Sequence, residues 1–98
     1  MKKQAINSGK FLKTIKFLKA VSDENRLKIL LALKGQTMNV TGIHLKVKLP
    51  QNLASHHISK LKELGMLNEK REGTFRNYSI NEKKLREFSN IFRELLDV

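Results

Sequence analysis

Gln51, Asn52, Ser55 and His56 crowd into a short stretch, and each ends in a group that can exchange hydrogen bonds with the edge of a nucleobase. Amide side chains suit adenine, while serine and histidine suit several base edges, so the set predicts direct reading of duplex DNA in the major groove. Around them Lys46, Lys48, Lys60 and Lys62 offer ammonium groups to backbone phosphates, contacts that position a protein without reading sequence. Arg71 and Arg76 flank Gly73, and arginines so placed are drawn to a narrow minor groove or to its phosphates. The plainer roles are solvated helix residues for the first two groups. For the arginines the plainer role is cross-strand pairing with Glu69 or Glu72.

Other chemistries find little support. His57 follows His56 directly, so the two rings lie about 100° apart on a helix and cannot face one ligand; His57 reads as a half-buried packing residue. His44 has no partner at i+4 for a metal. Ser55 and His56 are helical neighbours that point apart, with no acid spaced to orient the base. The chain contains no cysteine, which excludes disulfides, thiolate metal sites and thiol redox sensing. No enzyme activity, metal site or cofactor is therefore expected.

These residues need elements to carry them. Over residues 8–20, Phe11, Ile15 and Leu18 recur at helical spacing opposite Lys10, Lys13, Lys16 and Lys19, which predicts an amphipathic first helix. Ser22 is expected to cap a second helix opening with Asp23 and Glu24, burying Leu27, Leu30, Leu31 and Leu33 and stopping at Gly35. Asn39 begins a short third helix through about Val47, with Val40, Ile43 and Val47 on one side. A fourth, over residues 50–64, turns Leu53, Ile58, Leu61 and Leu64 inward and leaves the polar set outside; Pro50 stands where a Ser or Thr cap is usual, and Gly65 ends it. Residues 66–70 and 75–80 have strand composition on either side of Arg71-Glu72-Gly73-Thr74, a turn suited to a hairpin. Asn81 caps a last helix to about Leu96, striped by Leu85, Phe88, Phe92 and Leu95. Phe75, Tyr78, Phe88 and Phe92 are expected in the core or an interface.

The predicted fold is mainly α with a small β-hairpin: four helices, two strands and a fifth helix in the order of a winged helix-turn-helix. No repeat, low-complexity tract or Pro- or Gly-rich linker divides the 98 residues, so a single domain is expected, with about residues 1–8 flexible. The formal net charge is +11, and the first 60 residues hold 12 basic against 2 acidic side chains, which favours an anionic partner. No apolar run approaches the roughly 18 residues of a membrane span, and no signal peptide is evident, so a cytoplasmic, nucleoid-associated protein is expected. With one Tyr and no Trp, the chain has few platforms for stacking unpaired bases, which disfavours RNA.

In this order of elements the chain resembles the ArsR family of winged-helix repressors over about residues 10–96. The resemblance rests on Ser22-Asp23-Glu24-Asn25-Arg26-Leu27-Lys28-Ile29-Leu30, on Ser55-His56-His57-Ile58 with Leu61 and Gly65-Met66-Leu67, and on Arg71 and Gly73 with Tyr78 and Ile80. It implies a homodimer joined by the first and last helices, placing Phe11, Ile15, Leu18, Leu85, Phe88, Phe92 and Leu95 at the interface, with two recognition helices on an inverted-repeat operator. The wide apolar stripe of the last helix agrees, since such exposed patches usually mark interfaces. Family members that sense metal commonly carry cysteines at positions matching Asn39 and Thr41, and others use Asp and His on the last helix. Here no His follows His57, and Glu82, Glu87, Glu94 and Asp97 lack imidazole partners, so both sensory sites are expected to be missing.

The sequence thus points to a homodimeric, sequence-specific regulator of transcription that binds double-stranded DNA, a repressor occluding a promoter. The alternative is a non-specific architectural DNA binder. A protein-interaction or membrane-surface module built on the lysine-rich first helix would leave the recognition helix and the wing without a role.

Overall fold

Side-chain caps set the register of four of the helices. A helix leaves its first N–H groups without internal acceptors, and a short polar side chain just ahead of it supplies one. In the computed structural model, which describes Ile6 and residues 8–98, Ser8 accepts from the Phe11 N–H ahead of α1 (Gly9–Ser22). Asp23 accepts from Arg26 ahead of α2 (Glu24–Ala32), Asn39 from Gly42 ahead of α3 (Val40–Val47), and Asn81 from Lys84 ahead of α5 (Glu82–Leu96). Among the described residues, α4 (Gln51–Glu63) is the helix that starts without such a bond, behind Pro50. The flexible stretch expected at residues 1–8 falls outside the described residues apart from Ile6 and Ser8.

One cap differs from the expectation. Ser22 is the last residue of α1, and its hydroxyl donates back to the Lys19 carbonyl at 3.0 Å. Asp23, alone between α1 and α2, takes the capping role because its carboxylate lies 3.0 Å from the Arg26 N–H.

Three antiparallel strands, β1 (Met38–Asn39), β2 (Leu67–Glu72) and β3 (Phe75–Ile80), lie in the order β1-β3-β2. β1 is an addition to the expected pair. Its two residues are too few to show a period of two, and only pairing with Tyr78 and Asn77 makes them a strand. The hairpin is also tighter than expected: pairing continues through Arg71 with Arg76 and Glu72 with Phe75, leaving Gly73 and Thr74 as the turn. Gly73 has a φ of +63°, a conformation in which glycine suffers no Cβ clash.

The core gathers Ile29 and Leu33 around α2, Ile43 of α3, Ile58 and Leu61 of α4, and Met66, all essentially without solvent contact. Leu27 and Leu31, expected on the buried side of α2, are instead 46% and 60% exposed. Four residues apart, they share the helix face opposite Ile29 and Leu33. α1 and α5 lie together: the Phe17 and Phe88 rings stack with centroids 4.8 Å apart, and Lys10 pairs with Glu94. Phe75 is not a core residue; at the hairpin tip it is 59% exposed.

Removing the Asp23 carboxylate tests the revised cap. Asp23→Ala is expected to lower unfolding free energy by about 1 kcal/mol in urea titrations, while Ser22→Ala stays within about 0.5 kcal/mol of the parent. The reverse ranking would return the cap to Ser22.

Candidate nucleic-acid interface

α4 buries Ala54, His57, Ile58 and Leu61, the i, i+3, i+4 and i+7 positions of one face. Turning 100° per residue, the opposite face carries Asn52, His56, Ser59 and Glu63, and all four are exposed. The helix is about 20 Å long at 1.5 Å per residue, a length and breadth that fit the major groove. Of the expected base readers, Asn52 and His56 share this outward face. Gln51 is exposed at the helix start, and Ser55 is half-buried at the edge turned toward the hairpin. Ser59 joins the expected readers on this face, and the signal for it in the sequence is its spacing, three residues past His56 and seven past Asn52.

A cleft of about 330 Å³ separates α4 from the hairpin. Hydroxyls of Thr41, Ser55, Ser59 and Thr74 and the Arg76 side chain line it, over a floor that includes Ile58 and Tyr78. Hydroxyl and guanidinium groups are the usual partners of phosphate oxygens. Thr41 and Asn39 come to this cleft from the start of α3.

The two ends of α4 are set by backbone geometry. Lys48 adopts the left-handed conformation, φ +59°, and the Leu49 N–H returns to the His44 carbonyl, which turns the chain from α3 into α4. His44 Nδ1 donates to the Leu49 carbonyl at 3.1 Å and closes the same turn, so this histidine is structural. At the far end Gly65, φ +78°, donates to Lys62 while Met66 donates to Leu61, the paired bonds of a Schellman stop.

Side chains on paired or alternate positions of a hairpin share a face. Leu67 with Ile80, Glu69 with Tyr78, and Arg71 with Arg76 therefore line one side of the wing from core to tip. The two expected wing arginines stand directly opposite each other, a like-charge pair that an intervening anion would relieve. Arg76 is also 3.8 Å from Glu69, so the expected cross-strand pairing occurs there. Glu69 Oε1 accepts from Lys62 at 2.7 Å and Oε2 from the Tyr78 hydroxyl at 2.9 Å. These bonds, Lys62 first, hold the Glu69 carboxyl below its ordinary range; burial and then Glu69 push the Tyr78 phenol up.

The expected phosphate lysines are not equivalent. Lys62 is engaged by Glu69, and Lys60 lies 3.9 Å from Glu63. Lys46 approaches the Ala32 carbonyl at 3.5 Å, and Lys48 projects from the exposed left-handed turn. On the other side of α4, His57 is more deeply buried than expected, at 7% exposure. Its Nδ1 lies 3.3 Å from Arg26 Nη1. A guanidinium can only donate, so Nδ1 accepts and the neutral ring carries its proton on Nε2. Arg26 Nε donates in turn to the Ala20 carbonyl, tying α4 to the joint between α1 and α2. Burial lowers the His57 pKa from 6.5, partly opposed by Asp23 4.0 Å away.

Residues 23–69, from the α2 cap into the wing, match the arsR family of bacterial regulatory proteins. An HTH-type transcriptional regulator of Methanocaldococcus jannaschii is 34% identical over 87 residues, covering 88% of this chain and 98% of that one. The chain belongs to the arsR family. The transcriptional repressor SdpR of Bacillus subtilis is 36% identical over 72 residues, 74% of this chain and 80% of that protein. Among solved structures, the homodimeric winged helix-turn-helix DNA-binding domain Mb0332 of Mycobacterium bovis superposes with a TM-score of 0.71 at 28% identity, over 83% of this chain and 76% of that one. This arsR-family chain is thus a winged helix-turn-helix transcriptional regulator that binds DNA, not an enzyme. Among the described residues no helix is long and apolar enough to cross a membrane.

The buried histidine gives a pH test. An imidazole kept neutral in the fold binds more protons when unfolded, so its contribution is full above 6.5 and is lost as the pH falls through the lowered folded value. The urea midpoint is expected to drop between about pH 7.5 and about pH 5.5, and His57→Gln to flatten that dependence. An unchanged slope in the variant would place the titrating group elsewhere.

Proposed function

We propose that the chain is a homodimeric, sequence-specific repressor that reads an inverted-repeat operator with α4 and blocks transcription by occupying a promoter. The observation that carries this reading is the two-sided build of α4: Asn52 and His56 are presented outward by a helix whose other side is locked into the core, beside a wing bearing Arg71 and Arg76. Gln51 and Ser55 extend the base-reading edge, while Lys46, Lys48 and Lys60 approach phosphates. Lys62, already bonded to Glu69, contributes less there than its charge suggests. The repressor role is supported by SdpR and dimerisation by the homodimeric Mb0332 domain.

The chain folds as one domain in which α1 and α5 form the dimer seam. Phe88, expected at that seam, is taken up by its stack on Phe17 and is 7% exposed. Phe92, Leu18 and Leu96 are exposed, and Phe11, Ile15, Leu85 and Leu95 are half-buried, so a second copy has apolar surface to cover. A cytoplasmic protein associated with the nucleoid follows from this role. A second reading, a non-specific architectural DNA binder, is favoured by the net charge of +11.

Selection of duplexes from a random pool at about 150 mM salt, where screening suppresses non-specific contacts, separates the two. An inverted repeat with half-sites about one helical turn apart is expected; a pool that stays random would favour the architectural binder. On the recovered duplex, Asn52→Ala or His56→Ala is expected to weaken binding by about 1–3 kcal/mol with an unchanged melting temperature. With 6 to 10 phosphates contacted, log affinity should fall against log salt with a slope of about −5 to −9. Phe92→Glu is expected to convert the dimer to a folded monomer in sedimentation; a variant that still sediments as a dimer would place the seam elsewhere.

A further inference from the structure

Glu69 sits where the recognition helix meets the wing, and base or phosphate contact gives it no part to play. A carboxylate beside DNA repels phosphate, so its presence on this side of the protein calls for a compensating role. Its side chain is only 17% exposed, and both oxygens are occupied. Oε1 receives Lys62 from the last turn of α4, and Oε2 receives the hydroxyl of Tyr78, whose ring is buried in the core. Arg76 Nη1 is 3.8 Å from the same Oε2. One acid thus joins the end of α4, the base of the wing and an arginine of the wing tip.

We propose that Glu69 is a positioning residue for DNA recognition. Its carboxylate ties the wing to the last turn of α4 and orients Arg76, fixing the width of the cleft between them. That cleft is where the sugar-phosphate backbone passes when α4 occupies a major groove and the wing the neighbouring minor groove, and its Thr41, Ser55, Ser59 and Thr74 hydroxyls suit a phosphate. A solvated ion pair contributes little. This one differs in that the acid is largely covered and bonded to a buried phenol, so losing it frees two elements rather than one side chain. The proposal rests on the reading that α4 and the wing engage one duplex together.

The sign of the effect distinguishes positioning from charge. Glu69→Gln removes a negative charge and leaves an amide oxygen able to accept from Tyr78. Electrostatics alone therefore predicts tighter binding to every duplex. Positioning predicts weaker binding to the selected operator only. Fluorescence anisotropy on the operator and on a random duplex of equal length is expected to show about a 5- to 10-fold loss for the operator in E69Q, the size of a typical coupled contact. Affinity for the random duplex should be unchanged or higher. Lys62→Met changes the opposite end of the tie, which is half-exposed, and it decides the matter if E69Q fails to fold by circular dichroism. It should show the same operator-selective loss, and the double variant should be little worse than either single one.

Operator affinity in E69Q equal to or above that of the parent would overturn the proposal. So would equal losses on both duplexes in K62M, which would make Lys62 a simple phosphate contact. A parent protein that does not discriminate the two duplexes would overturn the specific-regulator reading and the proposal with it. A discriminating parent with an equally discriminating E69Q overturns the proposal alone.

Discussion

Ala54, His57, Ile58 and Leu61 must all leave water on the same side of α4, and that burial decides where every other side chain of the helix points. Each large apolar member contributes about 1.5–3 kcal/mol by leaving solvent, so rotating the helix to present a different face would expose several at once. His57 is the polar member of the set. A buried imidazole needs a partner, and it finds one in Arg26, whose backbone N–H is itself the donor to the Asp23 cap. Helix capping, core burial and the aim of the outward face are therefore one connected arrangement.

Backbone turns transmit that arrangement in both directions. On one side, Lys48 holds a left-handed conformation that costs a non-glycine residue about 1 kcal/mol or more, and His44 braces the turn by bonding the Leu49 carbonyl. A glycine there would be easier on the backbone but would leave no ammonium at the edge of the helix-turn-helix. On the other side, Gly65 ends α4 abruptly, so that Met66 drops into the core and β2 starts at Leu67. The Asn81 N–H bonds to the Met66 carbonyl at 2.8 Å, which binds the start of α5 to the root of the hairpin.

Much of this was legible in the residues themselves. Asn39, Asn81 and Gly65 act through local geometry, and α3, α5 and the end of α4 lie where spacing puts them, while at Gly73 the hairpin turns where expected but pairs on through Arg71 and Glu72. The apolar period in α4 likewise placed Asn52 and His56 outside. The features that depart from the sequence pattern depend on tertiary partners. α2 and its C-cap carry leucine or isoleucine at 27, 29, 30, 31 and 33, apolar over most of the circumference, so no period selects a face and the sequence does not tell the exposed Leu27 and Leu31 from the buried Ile29 and Leu33. β1 exists through its pairing with β3. Ser22 and Asp23 are both good caps in sequence, and the choice fell to whichever lay outside α1. Lys62 has the charge of a phosphate ligand, but its acid partner lies on another element and no local pattern reveals it, and Ser59 carries only a common hydroxyl whose exposure depends on how α4 is rotated.

Pairing in the wing stops at Glu72 with Phe75. Residues added beyond that pair would lengthen the hairpin while Arg71 and Arg76 keep the side they share with Glu69. A single residue inserted between Glu69 and Arg71 would instead send Arg71 to the opposite side or force a bulge, because side chains alternate strictly along a strand. Drift in loop length is therefore tolerable only at the tip. Descendants of this chain can change how far the wing reaches without altering the direction in which it is held, so reach and aim can evolve separately.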